Sequence, residues 1–368
     1  MNPHLPDAQT QLAEDTDWAG DELREECGVF GIFGHEDAPT LVALGLQALQ
    51  HRGQEAAGIV SSDGEQFYAE RRMGLVSDSF TKPSVMKRLA GNSAIGHVRY
   101  STTGETVLRN VQPLFADLAG GGFALAHNGN LTNALTLRKQ LEKTGAIFQS
   151  TSDTETILHL IARSPKSCTV DRVIDALYEI NGAYALVGIA NDKLIGVRDP
   201  LGIRPLVLGK LNESYIFASE TCALDIIGAK FVREVENGEV VVISADGIKS
   251  FKPFPEKPER PCIFEYIYFA RPDSIVGGKS IYECRKEFGR ELAQAAEACG
   301  ALRLPIQLPS PSSSSSSLRS SSTRNTSSRT LTLLSLSRIP ACFALAERAC
   351  SLASLAASRC FSRLRLSS

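Results

Sequence analysis

At about Ala298 the chain changes character, and that break decides how much of it can fold. Residues 299–368 contain 20 Ser, with an unbroken run from Ser312 to Ser317, and no Val, Tyr, Trp, His, Lys or Asp. Such a composition offers little apolar surface to set against the entropy of ordering a chain. Their nine Arg stand against one acid, Glu347, whereas the preceding residues hold 30 Lys and Arg against 40 Asp and Glu. The net charge of −2 therefore averages an acidic body and a basic tail. An acidic body argues against a nucleic-acid binder. The tail can be read as an Arg/Ser segment for RNA or anionic lipid, as plain disorder, or as an out-of-frame product. Because the change falls abruptly inside a helical pattern that starts at Ile281, the last is the expectation.

The body reads as a soluble globular protein of the cytoplasm. No stretch approaches the roughly 18 consecutive apolar residues of a membrane span, and Met1–Glu26 is acidic with Arg24 its one Lys or Arg, unlike a secretory signal. Nine cysteines are scattered without the paired spacing of a disulfide framework or a zinc site, so no metal is expected and a working cysteine would be a nucleophile. Short apolar runs bounded by turn residues predict strands over Val29–Phe33, Ala57–Ser61, Ile95–Tyr100, Phe123–Ala126, Tyr184–Ala190, Leu194–Arg198, Leu206–Leu208, Tyr215–Ala218 and Val240–Ile243. Helical spacing appears over Thr40–Gln50, Asn133–Lys143, Thr154–Ala162 and Val173–Ile180. No Gly-rich phosphate loop follows the first strand, and two sheets packed face to face with helices outside suit this order.

Chemistry enters at Cys27, in Glu25-Glu26-Cys27-Gly28-Val29-Phe30-Gly31. A cysteine opening an apolar strand is commonly a small buried hydrophobe. Here an acidic, loop-like run stops just before it. Cleavage at that point would give Cys27 a free α-amine with a pKa of about 7.7 to 8.0, close to that of the thiol. Nucleophile and base would then share one residue. Next comes His127-Asn128-Gly129-Asn130. Asn-Gly is a favoured hairpin turn, yet the Asn128 side-chain amide and the Gly129 N–H could equally be the paired donors that an oxyanion needs. Two charges fit the ends of an amino-acid substrate. Arg99 could hold an α-carboxylate, with the polar loop Ser101-Thr102-Thr103-Gly104 closing beside it. Asp153 could meet an α-ammonium or simply form part of a helix N-cap with Ser152. Arg52, after a helical run, is either part of this constellation or a solvated helix-end cation.

Taken in order, Cys27-Gly28-Val29-Phe30-Gly31, Gln50-His51-Arg52-Gly53-Gln54, Gly96-His97-Val98-Arg99-Tyr100, His127-Asn128-Gly129-Asn130 and Ser152-Asp153 resemble a class II glutamine amidotransferase domain of the N-terminal-nucleophile hydrolases. Arg198-Asp199-Pro200-Leu201-Gly202-Ile203-Arg204-Pro205-Leu206 and the block Phe264–Ser274 resemble the amidophosphoribosyltransferase family in particular. The resemblance runs from about Glu25 to about Ala298. It implies an α+β, four-layer αββα sandwich followed by a Rossmann-like phosphoribosyltransferase domain, and a cytoplasmic homo-oligomer. The implied roles are Cys27 as nucleophile and base, Asn128 and Gly129 as oxyanion hole, and Arg99, Asp153 and Arg52 around glutamine. Ammonia would pass to phosphoribosyl pyrophosphate, the first step of purine synthesis.

Expected boundaries are therefore a cleaved leader at 1–26, an amidotransferase domain at 27–260, the start of the phosphoribosyltransferase domain at 261–298, and the tail at 299–368. That second domain needs paired acids at a strand end, and the chain has no Asp-Asp pair, so its phosphoribosyl pyrophosphate site and the accompanying magnesium are expected to be missing. Some family members bind an iron–sulfur cluster through a cysteine matching Cys262. With Cys299, Cys342, Cys350 and Cys360 all in the tail, none is expected here. A stand-alone glutaminase and a non-catalytic binding module are the alternatives.

Overall fold

The computed structural model describes residues 27–100 and 107–298. The leader, the loop around Ser101–Gly104 and the Ser/Arg tail lie outside the described residues, and with them the expectations of cleavage, loop closure and a broken reading frame. Among the described residues the main strands are β1 (Gly28–Phe33), β2 (Ala56–Ser62), β3 (Phe67–Met73), β4 (Ser93–Arg99), β5 (Leu114–Leu118), β6 (Gly121–Leu131), β7 (Gly182–Ala190), β8 (Lys193–Arg198), β9 (Val207–Leu211), β10 (Ser214–Ala218), β11 (Lys230–Glu234), β12 (Val240–Ser244) and β13 (Gly247–Phe251). They form two antiparallel sheets, ordered β11-β9-β10-β1-β4-β2-β3 and β13-β12-β8-β7-β6-β5.

Alternation along the central strands explains why both sheets are covered on both faces. Phe30 and Ile32 of β1 point to one apolar layer. Val29, between them and Cys27, points to a different layer shared with Ala126, Ala185 and Val187 of the second sheet. Leu186 of β7, one residue from Val187, turns outward into a third layer. A period of two with apolar residues on both faces marks a strand buried between layers. The helices supply the outer cover. Helix α1 (Ala38–Ala48), two single turns α2 (Val76–Ser79) and α3 (Pro83–Met86), α4 (Ala134–Lys143), α5 (Asp153–Arg163), α6 (Thr169–Glu179) and the turn α7 (Cys222–Asp225) follow in chain order. Val42 and Leu46 of α1 and Leu224 of α7 pack on the first sheet, while Leu141 of α4, Ile161 of α5 and Leu177 of α6 pack on the second. Each such side chain, when fully buried, contributes about 1.5–3 kcal/mol. Three apolar layers between four structural ones make the αββα sandwich that the sequence implied.

Two compact units divide the chain between Ile281 and Tyr282. The first therefore continues past residue 260, through a π-helical turn Glu265–Phe269 and a two-residue hairpin at Ile275–Val276 and Lys279–Ser280. Tyr266, Phe269, Ala270 and Ser274 in this extension are buried. Helix α8 (Ile281–Ala298) starts on the last residue of the first unit, and its remainder, from Tyr282, is the described part of the second.

Candidate active site

Cys27 sits at the head of β1, beside the end of β4. Gly28 is in register with Val98, and the Cys27 thiol lies 3.4 Å from the Tyr100 carbonyl oxygen. The chain leaves α1 through a 3-10 turn at Gln50–Arg52 that carries the Arg52 side chain beneath the nucleophile. There the Arg52 Nε–H donates to the Cys27 carbonyl oxygen at 3.0 Å. Nη1 donates to Glu220 at 2.6 Å and to Glu265 at 2.8 Å, and Nη2 to the other Glu265 oxygen at 2.7 Å. Arg52 is 1% exposed, so it is not the solvated helix-end cation that its local sequence allows. Burial alone would push its guanidinium toward neutrality, and the two carboxylates outweigh this and keep it charged. Burial likewise disfavours ionised Glu220, but Arg52 and His51 hold its carboxyl well below the usual carboxylate range.

Across the interface between the sheets, β6 brings Asn128 and Gly129 to the same end. They do not form a hairpin turn. The strand runs unbroken from Gly121 to Leu131, with Asn128 opposite Ala185 and Gly129 opposite Tyr184 of β7. Gly129 has φ +145°, and a Cβ there would lie 2.0 Å from the Ala183 carbonyl oxygen. Neither the conformation nor the space admits a side chain. Asn128 is 0% exposed, and neither its side-chain oxygen nor its nitrogen has a hydrogen-bond partner. An unmet buried amide costs about 1–3 kcal/mol, so its presence on a central strand points to a partner that arrives with a ligand.

The remaining candidates connect these two strands. Arg99, buried at the end of β4, donates from Nη1 to the Asn110 carbonyl oxygen at 3.2 Å. His97, two residues earlier on the opposite face from Val98, lies between the sheets and donates from Nε2 to the His127 carbonyl oxygen at 3.2 Å. Burial, Arg99 and His127 push its pKa down to about 3, so it is neutral. Asp153 is the first residue of α5, and Ser152 is the N-cap, its hydroxyl accepting from the Thr154 N–H at 3.3 Å. The half-buried Asp153 carboxylate accepts from the Leu131 N–H at 3.0 Å and lies 3.5 Å from His127 Nδ1. Burial would raise its pKa, but His127 and the backbone N–H groups outweigh it and leave the carboxyl below its ordinary value. All six residues singled out in the sequence thus belong to the first compact unit, set on or beside β1, β4 and β6.

Sequence patterning did not single out Glu220 or assign a role to Glu265. Glu220 opens the segment leading into α7 and reads as an ordinary helix-start acid. Glu265 lies in the block Phe264–Ser274, 213 residues from Arg52. The other block, around Asp199, is architectural. The buried Asp199 carboxylate accepts from the N–H groups of Leu201, Ile203 and Arg204 at 2.9–3.2 Å, fixing the turn after β8. That turn in turn accepts the Cys262 N–H at the Ile203 carbonyl oxygen. Among the described residues no group of three or more His, Cys, Asp or Glu is placed to hold a metal ion, and no helix is long and apolar enough to cross a membrane.

Comparison with known proteins agrees with this geometry. A family model described as a glutamine amidotransferase domain matches residues 97–225. The amidophosphoribosyltransferase of Rhizobium etli is 60% identical over 292 residues, covering 78% of this chain and 59% of that protein. That of Bacillus subtilis is 48% identical over 273 residues, covering 74% and 57%. The solved structure of glutamine phosphoribosylpyrophosphate amidotransferase from B. subtilis, complexed with ADP and GMP, matches with a TM-score of 0.70 at 46% identity, over 73% of this chain and 58% of that one. The chain spans somewhat more than half the length of these relatives. With such identity running over most of the described residues, and the same fold beneath it, the chain carries a glutamine amidotransferase part similar to that of the amidophosphoribosyltransferases.

Proposed function

We propose that this chain hydrolyses glutamine at Cys27 and that the ammonia serves transfer to phosphoribosyl pyrophosphate, the opening step of purine synthesis, when the transferase half is present. The observation that carries the proposal is the buried, unpartnered Asn128 amide beside Gly129. In the proposed reaction Arg99 holds the α-carboxylate of glutamine and Asp153 its α-ammonium. The Cys27 α-amine, freed by removal of residues 1–26, takes the thiol proton. Sulfur attacks the side-chain carbonyl carbon, and the oxyanion that forms accepts from the Asn128 amide and the Gly129 N–H. The C–N bond then breaks, with the ammonium of Cys27 returning its proton to the departing ammonia. Water hydrolyses the thioester to glutamate and restores the thiol. Thiol, amine and amide complete these steps, so the proposal assigns no metal and no iron–sulfur cluster to the glutamine half. Magnesium belongs with phosphoribosyl pyrophosphate.

A glutaminase assay coupled to intact mass measurement tests this reading. Activity is expected in protein that begins at Cys27 and is expected to be abolished in Cys27→Ser and Cys27→Ala. Full activity in protein that retains Met1 would overturn it, and binding of glutamine without hydrolysis would make the chain a binding module. Pyrophosphate release on adding phosphoribosyl pyrophosphate and magnesium separates a complete transferase from a glutaminase.

A further inference from the structure

We infer that Glu220 and Glu265 are positioning residues for the nucleophile, holding the Arg52 guanidinium against the Cys27 carbonyl oxygen. The inference rests on Cys27 being the nucleophile. The side chains of Arg52, Glu220 and Glu265 are 0%, 0% and 2% exposed, so this cluster is dry. Arg52 is planar, and four of its donor contacts are spoken for by Cys27, Glu220 and both oxygens of Glu265. A fork gripped on one side by a bidentate carboxylate has one orientation available. Glu220 is itself fixed, accepting from the Arg271 N–H at 2.9 Å, the Ser274 hydroxyl at 2.7 Å and His51 Nε2 at 2.8 Å. The chain from Glu265 to Ser274 therefore braces Arg52 twice, once directly and once through Glu220.

The consequence falls on Cys27. The β1–β4 ladder begins at Gly28, so Cys27 stands just outside it. Its carbonyl direction sets ψ, and ψ sets where the amine lies relative to the strand. With Arg52 on that carbonyl, nucleophile and base are presented to the Asn128 side of the sandwich in one geometry. Displacements well under 1 Å matter for such a pair. The two carboxylates more than offset the Arg52 charge, so Arg52 acts through its hydrogen bond rather than as a bare cation beside the thiol.

A double-mutant cycle in the full chain tests whether Glu265 acts through Arg52. Glu265→Gln keeps the shape and removes the charged bidentate grip. We expect it to lower kcat about tenfold or more with KM changed less than about threefold. In an Arg52→Gln background the same replacement should change kcat by less than about twofold, because the residue it positions is gone. Alkylation of Cys27 by iodoacetamide, read by mass spectrometry, runs the same cycle without glutamine chemistry, with exposed Cys168 as the internal standard. Its rate relative to Cys168 should change on Glu265→Gln in the parent and not in the Arg52→Gln background. Should Glu265→Gln fail to fold, Glu220→Gln carries the identical cycle. Parent-like kcat and Cys27 reactivity in Glu265→Gln, or the same fold loss in both backgrounds, would overturn the inference. A coupled alkylation cycle in a parent that hydrolyses no glutamine would leave it standing while the proposed function fails.

Discussion

A buried carboxamide with both ends unmet is a local stability defect, and Asn128 is one. Replacing it with Ala removes two unsatisfied groups while deleting few atoms, so the two effects on stability oppose each other. The effect on catalysis does not cancel. Asn128→Ala should lower kcat by about 10² to 10³ with a smaller change in glutamine binding, since the lost donor meets charge that develops only during attack. Its melting temperature should match or exceed the parent's. Arg99→Lys should chiefly raise KM, because a point charge replaces a bidentate fork. Steady-state kinetics beside thermal melts check both, and parent-like kcat in Asn128→Ala would remove the amide from the oxyanion site. These residues were legible because each sits in a short motif of unusual composition. Glu220 was not, since a Glu beside Thr221 at the start of a helical turn carries no mark of the arginine it neutralises 168 residues away.

At the scale of elements, the strands that the sequence hid share a place in the sheets. The strands absent from the apolar-run reading are β3, β5, β11 and β13, and these are the four edges of the two sheets. Edge strands have one flank in water and carry charge, so β3 (Phe67–Met73) and β11 (Lys230–Glu234) show no apolar run, while in β5 the short run Leu114-Phe115-Ala116 is broken by Asp117. Interior strands, covered on both faces, were found to within a residue or two, except β9, whose last three residues were missed, and β6, whose Asn-Gly pair mimics a turn while continuing the ladder. Strand β4 carries the testable case. With its pKa pushed down to about 3, His97 stays neutral in the fold, whereas the unfolded chain takes up a proton below about 6.5. Native protein then binds fewer protons than unfolded protein, so stability falls by about 1.4 kcal/mol per pH unit as pH drops from about 6.5 toward 3. Glu220 and Asp153, whose carboxyls are held low, act in the same sense, but their contributions persist above the ordinary carboxylate range and are lost only below it. Between pH 7 and 5 the His97 effect therefore stands apart from theirs. The gap in urea-unfolding free energy between the parent and His97→Gln should shrink by about 2 kcal/mol over that interval. A gap that stays constant would mean that the folded protein accommodates the proton.

On the scale of the whole molecule, the useful question is where the glutamine half ends. The sequence reading set the boundary at residue 260, and the first compact unit closes at Ile281. The difference is physical. Beyond Arg260 the chain adds the Cys262 N–H to the Ile203 carbonyl oxygen, buries Tyr266, Phe269 and Ala270, and inserts Glu265 against Arg52. A chain stopped at 260 keeps Cys27, Asn128 and Gly129 but leaves Arg52 buried with Glu220 as its one carboxylate, and strips Glu220 of the Arg271 and Ser274 donors. Removing one partner of a buried ion pair costs about 3–5 kcal/mol, a large share of the roughly 5–15 kcal/mol that holds a domain together. Two constructions, one ending at Arg260 and one at Ile281, should therefore behave differently. The longer should unfold cooperatively and keep the glutaminase rate of the full chain. The shorter should melt well below it, and any fraction that folds should show reduced kcat with near-normal KM, as a misplaced nucleophile requires. Equal melting temperatures and equal rates would show that the extension is an appendage, and that Cys27 is seated by β1 and β4 alone.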